Sequence, residues 1–372
     1  MKVRKLDTTS RRDARQFVDF PFQLYRDYPY WVPPLISGVR GVLDRRKHPF
    51  YQHSTADFFI AEDGDRTLGR IAVMDNRNYN EYRGSSEAFF GYFEAVEDAG
   101  VACALFDACF QWARARGLHE IRGPRALIGS DSGGVLVKGF EHRPALNVPY
   151  NPPYYDALIR DSGFEKDTDH ISAYLRADHK LPERFHRISD KLKAQRGFWV
   201  KSFSTKREMR EWVPRVAEVH REAFSASYTF YPPTEDEMAL IADAIVSIAD
   251  PRLIKLVMKG EDVIGFVLAY HDISAALQKA KGRLWPFGWY YLLRERWRTK
   301  WVNGNGIGVL PEYQGLGPSI LLYTEISRAI KELGFEHVDV VQVDEKNLMS
   351  YSALDVAGVT WYKRHRSYWR AL

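Results

Sequence analysis

Cysteine is almost missing from this chain. Cys103 and Cys109 are the two in 372 residues. They stand six apart in a stretch patterned as one helix and so fall on different faces, which makes a mutual disulfide implausible and a structural zinc improbable. A reducing compartment fits that usage. Long apolar runs are also missing: none reaches the roughly 18 residues that a membrane-crossing helix needs. The opening MKVRKLDTTSRRDARQF is basic but has no apolar stretch behind it, as a secretory signal would. The expectation is a cytoplasmic protein. Charge of one sign is lacking as well. A net charge of +5 without a clustered basic stripe argues against a nucleic-acid partner and suits a small anionic ligand equally well. The histidines show no His-x-x-x-His spacing, so no metal is expected.

What is present is enough apolar sequence, 45%, for two cores of ordinary size, and a pattern that occurs twice. DFFIAEDGDRTLGRIAVMDN at 57–76 alternates into an Asp-Gly turn and out again, and LIKLVMKGEDVIGFVLAYHD at 253–272 does the same. In each half a helical pattern closes on glycine, Gly117 or Gly334, and leads into a strand. A second helix then ends at Gly163 or Gly358 before a last strand. The order predicts a mixed, mostly antiparallel sheet with flanking helices in each half, an α/β (α+β) tandem. The expected organisation is a first domain over 1–177, a linker helix in the charged connector 178–200, and a second domain over 201–372.

The sharpest local chemistry lies in GIGVLPEYQGLGPSILL. A strand runs through Val309, the chain turns at Pro311, passes two glycines and enters a helix at Pro318, where proline costs no hydrogen bond. Free amides at a glycine-preceded helix start form an anion site, because the helix N-terminus carries partial positive charge and unpaired N–H groups. A diphosphate suits it. A plain strand-to-helix turn is the alternative for an arbitrary Gly-x-Gly.

Gln314, Gly317 and Ser319 resemble the Gln/Arg-x-x-Gly-x-Gly/Ala signature of the GNAT acyltransferase superfamily. VQVDEKNLMSYSALDVAG further on resembles its fifth strand and following helix, with Asn347 at the characteristic asparagine. The likeness is specific over about residues 253–372 and looser before, so the whole chain looks like a tandem GNAT protein. It implies an acyl-CoA cosubstrate, acetyl-CoA first, whose acyl group passes to a small-molecule or peptide amine as coenzyme A leaves. It further implies that the amides of Gln314, Gly315, Leu316, Gly317, Ser319 and Ile320 hold the diphosphate, that the Val309 amide stabilises the oxyanion, and that Asn347 caps its helix and reaches the pantetheine or the leaving sulfur. The family's usual acid, a tyrosine four residues before the closing glycine, falls here on Leu354. Tyr351, one turn earlier, is the substitute, with an ordinary packed aromatic as its alternative. At the matching place in the first half, EDAGVAC sets Glu97 and Asp98 where a diphosphate would be repelled, which marks that half as a degenerate copy.

Other constellations carry less. Gly129, Asp131 and Gly133 imitate a nucleophile elbow but lack a following helix. The long insert from Pro124 to Tyr155 offers Asp131, Asn151, Tyr154 and Tyr155 as polar candidates for an acceptor pocket. Asp344 is a candidate base. RLWPFGWYYLLRERWRTKW at 283–301 fits a helix packed on the other domain, the preferred reading, a helix at a membrane surface, or a wall for a long acyl chain. A non-catalytic acyl-CoA sensor is the competing function, and aminoacyl transfer from tRNA a third.

Overall fold

The computed structural model describes residues 1–128 and 133–372. The elbow-like Gly129 and Asp131 therefore lie outside the described residues. The strands are β1 (Lys2–Lys5), β2 (Thr55–Asp63), β3 (Arg66–Asp75), β4 (Glu87–Ala95), β5 (Glu120–Gly123), β6 (Val135–Lys138) and β7 (Glu165–Arg176), followed by β8 (Phe198–Ser202), β9 (Ile254–Lys259), β10 (Asp262–His271), β11 (Trp301–Val309), β12 (His337–Asp344) and β13 (Thr360–Ala371). The helices are α1 (Arg11–Leu24), α2 (Ile36–Leu43), α3 (Arg77–Arg83), α4 (Ala99–Arg114), α5 (Tyr155–Asp161), α6 (Glu183–Arg196) and α7 (Lys206–Glu211). After them come α8 (Val213–Phe224), α9 (Glu235–Ile248), α10 (Ser274–Ala280), α11 (Gly288–Arg298), α12 (Pro318–Glu332) and α13 (Leu348–Ala357).

The chain divides into two compact units. Unit 1 holds Met1–His170, Ser274–Arg294 and Lys363–Leu372, and unit 2 holds Ile171–Ile273 and Glu295–Tyr362. In unit 1 the strand order is β1-β2-β3-β4-β5-β13, with β6 also on β13. In unit 2 it is β7-β12-β11-β10-β9-β8. Each sheet is mixed: β4/β5 and β11/β12 pair in parallel, and β2/β3, β3/β4, β8/β9, β9/β10 and β10/β11 are antiparallel.

This division differs from the expected cut at 177 and 201 in three ways. The last strand of each half is given away: β13 pairs with β5, Tyr368 opposite Gly123, and completes unit 1, while the end of β7 completes unit 2, where the Gln342 amide donates to Ser172 Oγ at 3.2 Å. The connector is no free linker, because Leu192 of α6 is buried among Leu321, Leu322 and Ile326 of α12. The segment Ser274–Arg294, inserted in the second half, belongs to unit 1, where the amide of Ile36 donates to the carbonyl of Gly282 at 2.9 Å.

Aromatic side chains fill unit 1. Phe90, Phe106, Phe164 and Tyr155 are buried between the sheet and α4, in tilted or edge-on pairs. Unit 2 is mostly aliphatic between its sheet and α12, apart from Phe198 and Phe335, while Phe224, Phe266 and Met258 lie with α8 in a separate cluster. The repeat glycines Gly69 and Gly265 stand where chain elements approach closely. A Cβ on Gly69 would reach 2.8 Å from Leu105 Cδ1, and one on Gly265 would reach 2.8 Å from the Gly308 carbonyl.

Candidate acyl-transfer site in unit 2

The site begins where two parallel strands part. Pairing of β11 with β12 stops at Gly304 opposite Val340, yet β11 runs on to Val309. A bulge at Asn305 bends β11 right at the parting: Ala269 is opposite Gly304 and Leu268 opposite Gly306. Beyond this point the backbone groups of β11 that faced β12 have lost their ladder partners.

Val309 shows the consequence. The Leu310 amide donates back to the Ile264 carbonyl at 3.0 Å, so by strand alternation the N–H and C=O of Val309 both turn away from β10 into the opening. Its carbonyl accepts from Gln314 Nε2 at 3.1 Å. Among the described residues, none accepts from its N–H.

The loop after β11 supplies further donors. Pro311–Tyr313 forms one 3-10 turn, after which Gly315 and Gly317 take left-handed angles of φ +75° and +107°. Gly317 is the N-cap of α12, and no side chain caps that helix. The amides of Gln314, Leu316 and Ile320 are engaged within the turn, donating to the carbonyls of Pro311, Tyr313 and Gly317. Those of Gly315, Gly317 and Ser319 have no acceptor among the described residues. Three donors, not six, are thus open. Gly317 is required twice over, since any other residue strains at that φ and a Cβ would stand 2.7 Å from Leu192 Cδ1. Arg196, at the end of α6, reaches the Leu316 carbonyl at 3.4 Å and adds a cation beside the loop. Bare N–H groups, a helix N-terminus and a nearby guanidinium fit a diphosphate.

Asn347 caps α13, its Oδ1 accepting from the Ser350 amide at 3.1 Å. Asp344 closes the same turn by accepting from the Lys346 amide at 2.8 Å. Leu354 is buried in the core. Tyr351 stacks on Trp361 with centroids 4.3 Å apart. The described polar candidates of the long insert, Asn151, Tyr154 and Tyr155, are structural. Asn151 is buried and brackets the backbone of Leu136, accepting from its amide at 2.6 Å and donating to its carbonyl at 3.1 Å, and Tyr154 and Tyr155 serve unit 1 as described next.

Unit 1 carries the same parting of strands in a closed form. β4 leaves β5 after Phe89 opposite Arg122, and Ala95 pairs with Gly69 as Val309 pairs with Gly265. The Val96 amide donates to Leu68, matching Leu310 to Ile264. Here the Ala95 amide donates to the Tyr155 hydroxyl at 3.0 Å, and its carbonyl accepts from the Tyr154 hydroxyl at 2.9 Å. Glu94 accepts from Tyr25 and Tyr155 at 2.5 and 2.7 Å and faces the buried Arg70. Burial raises the Glu94 carboxyl above its ordinary value, with Arg70 pulling the other way. At the neighbouring helix, Asp98 caps α4 itself, its Oδ1 accepting from the Val101 amide at 3.1 Å. The anion position holds the protein's own carboxylate.

Two groups of unit 2 escaped the sequence pattern. His220 on α8 stacks over Phe224 and Phe266, and those rings lie 3.2 and 2.9 Å from where a Cβ of Gly308 would stand, one residue from Val309. Its Nδ1 is buried without a partner among the described residues, and burial holds the imidazole below its usual pKa, so it is neutral at pH 7. Asn303 on β11 is fully buried, and neither polar atom of its amide has a partner among the described residues. A single His in a helical pattern and an Asn in a strand give no local signal. Among the described residues there is no cluster of His, Cys, Asp and Glu able to hold a metal ion.

Two sheets with a parting parallel pair, a glycine-led helix after the long strand, and an Asn-capped helix after the next define the tandem GNAT fold. A tandem GNAT protein from the clavulanic acid biosynthesis pathway matches the structure with a TM-score of 0.59, covering 100% of this chain and 98% of that one at 13% identity. Likeness at that identity concerns the fold. In sequence, the chain is 28% identical over 372 residues to "Bacterial ceramide synthase" of Caulobacter vibrioides, covering 97% of this chain and 95% of that protein. It is 26% identical over 370 residues to "Protein YghO" of Escherichia coli, covering 96% and 93%. No family model matches the chain.

Proposed function

We propose that unit 2 catalyses transfer of an acyl group from acyl-CoA to an amine. The observation that carries this is the Val309 N–H, turned into the parted strands with no partner, a few residues from the open amides of Gly315, Gly317 and Ser319. An amide so placed stabilises negative charge developing on a thioester oxygen, and it needs no reorganisation to do so. The loop amides and Arg196 hold the diphosphate, and Asn347 meets the pantetheine arm. His220, neutral and beside the strand end, accepts the proton of the attacking amine. Nitrogen bonds to the carbonyl carbon, the carbon–sulfur bond breaks, and the thiolate leaves, taking its proton from Tyr351 or from solvent. Proximity and the oxyanion contact supply most of the rate.

The relative named a ceramide synthase narrows the acceptor. A ceramide is an N-acylated long-chain amino alcohol, so the acceptor class that best suits this chain is a long-chain amine and the donor a fatty acyl-CoA. Purified protein incubated with acetyl-CoA and with long-chain acyl-CoAs, each with and without a long-chain amino alcohol, is expected to release free thiol and form amide only with a long-chain pair. Acyl-CoA binding by calorimetry without amide formation from any amine would establish instead the sensor that Leu354, in place of the usual acid, suggests.

A further inference from the structure

The segment from Lys279 to Lys300 concentrates the charge of the whole chain. It carries Lys279, Lys281, Arg283, Arg294, Arg296, Arg298 and Lys300 against Glu295 alone, an excess of six where the complete chain has +5. The chain without it is close to neutral. The mild net charge therefore conceals one basic patch.

That patch is also the most apolar part of the surface. Trp297, Trp285 and Phe287 are 84%, 79% and 64% exposed, and Trp289, Tyr290 and Leu293 are about half exposed. On α11 the exposed residues form two parallel rows at the four-residue spacing that lines up side chains along a helix. Trp289, Leu293 and Trp297 make an apolar row, and Tyr290, Arg294 and Arg298 the cationic row beside it. Pro286 and the exposed Trp285 and Phe287 precede the helix as a blunt apolar tip, tied to it where the Trp289 indole donates to the Pro286 carbonyl at 2.9 Å. The opposite side is anchored. Lys279 lies 4.6 Å from the centre of the Tyr291 ring, and Arg296 donates to the Ala249 carbonyl at 3.2 Å. The exposed face is thus held outward by contacts on its other side. No helix among the described residues is long and apolar enough to cross a membrane, so this one lies along a surface if it meets lipid.

We propose that the Leu284–Arg298 segment docks the protein on an anionic bilayer surface, with Trp285, Phe287, Trp289, Leu293 and Trp297 entering the headgroup region and Arg294 and Arg298 pairing with lipid phosphates. Indole and phenyl rings settle at the boundary of headgroups and acyl chains, and cations beside them are drawn by anionic lipid. Charge complementarity selects this occupant over a second copy of the chain, because a face that presents Arg294 and Arg298 without a carboxylate in either exposed row repels a copy of itself. If the acceptor is a long-chain amine, docking brings the protein to the phase in which such an amine dissolves, an extension that rests on the acyl-transfer reading.

Flotation of the full chain with phosphatidylcholine vesicles, with and without phosphatidylglycerol, tests the docking without turnover. Binding is expected only to the anionic vesicles and is expected to weaken as salt rises. Arg294→Gln with Arg298→Gln should lower it by roughly 25-fold, at about fivefold for each cation near the surface. Trp285→Ser with Phe287→Ser and Trp297→Ser should lower it at least about tenfold. All five positions are exposed, and unchanged circular dichroism and thermal midpoints confirm that the variants fold. Absence of binding to anionic vesicles overturns the proposal, as does binding that neither set of changes affects. A face that proves to join two copies, seen as a dimer in light scattering that the aromatic changes dissolve while flotation stays absent, also overturns it. Failure here leaves acyl transfer intact, since that reaction is measured on detergent-dispersed amine.

Discussion

The strand ends at Ala95 and Val309 occupy the same place in two copies of one plan, and they meet different fates. Each lies beyond the parting of a parallel pair, each is opposite a repeat glycine, and each is followed by an amide that returns to the neighbouring strand. At Ala95 the freed N–H and C=O are taken by Tyr155 and Tyr154. At Val309 the carbonyl is closed by Gln314 and the N–H stays open. The helices that follow differ in the same sense, because Asp98 caps α4 with its own carboxylate whereas Gly317 leaves α12 bare. A buried backbone group without a partner costs free energy. One copy avoids that cost with its own side chains, and the other remains available to a ligand.

The comparison can be broken in order of expected effect. His220→Gln should reduce turnover by about 10² to 10⁴, the range of a positioned base, with acyl-CoA affinity unchanged by calorimetry. Because burial lowers the imidazole pKa, the wild-type rate should hold down through pH 6.5 and fall only below it. Stability follows the same sign: the unfolded chain takes the proton first, so this contribution, full above about pH 6.5, is lost as pH falls toward the lower folded value. His365 of unit 1, fully buried and held at about 3 by burial, adds to that acid loss and takes no part in turnover. A turnover profile indifferent to His220→Gln would remove it as the base.

Ser319→Asp carries the acidic start of α4 into α12. An acidic residue in the first turn favours the helix dipole, so the thermal midpoint should hold or rise while coenzyme A affinity falls at least about thirtyfold, on the order of 2 kcal/mol for an added charge beside a diphosphate. Unchanged affinity would show that the loop does not hold the ligand. Tyr155→Phe removes the closure of unit 1. It leaves the Ala95 amide and Glu94 short of a partner in the interior and should cost about 1–3 kcal/mol in urea unfolding, with the activity of the folded protein unaltered.

Asn303→Leu should raise stability by about 1 kcal/mol, because a buried amide with neither atom paired is replaced by a side chain of similar size that needs no partner. If that amide serves the acceptor, its KM rises at the same time. Asp98→Ala is the smallest change, a lost helix cap worth about 1 kcal/mol, and it should create no coenzyme A binding in unit 1 because Tyr154 and Tyr155 still fill the strand end.

Much of the fold was legible. The two Asp-Gly hairpins, the helices closing at Gly117, Gly163, Gly334 and Gly358, and the glycine-led start of α12 are all local chemistry, in which a few adjacent residues decide the backbone. Asn347 as a helix cap belongs to the same class. The loop around Gly315 and Gly317 could be read as an anion site, though only the structure separates its open amides from those spent on the turn. The basic aromatic stretch near Trp289 was visible too, but amphipathic spacing alone does not tell a face turned to a core from one turned to solvent.

The sequence alone determined where the chain turns, which helices begin on glycine and which on a carboxylate, and that one plan is used twice, because backbone angles and end-capping depend on neighbours a few residues away. Only the tertiary structure decided that β13 completes unit 1, that Tyr155 reaches back 60 residues to silence Ala95, that His220 lies over the rings beside Gly308, and that the tryptophans of α11 face outward. Those facts depend on pairs far apart in the chain, whose meeting is set by sheet register and core packing and leaves no periodic trace in the sequence.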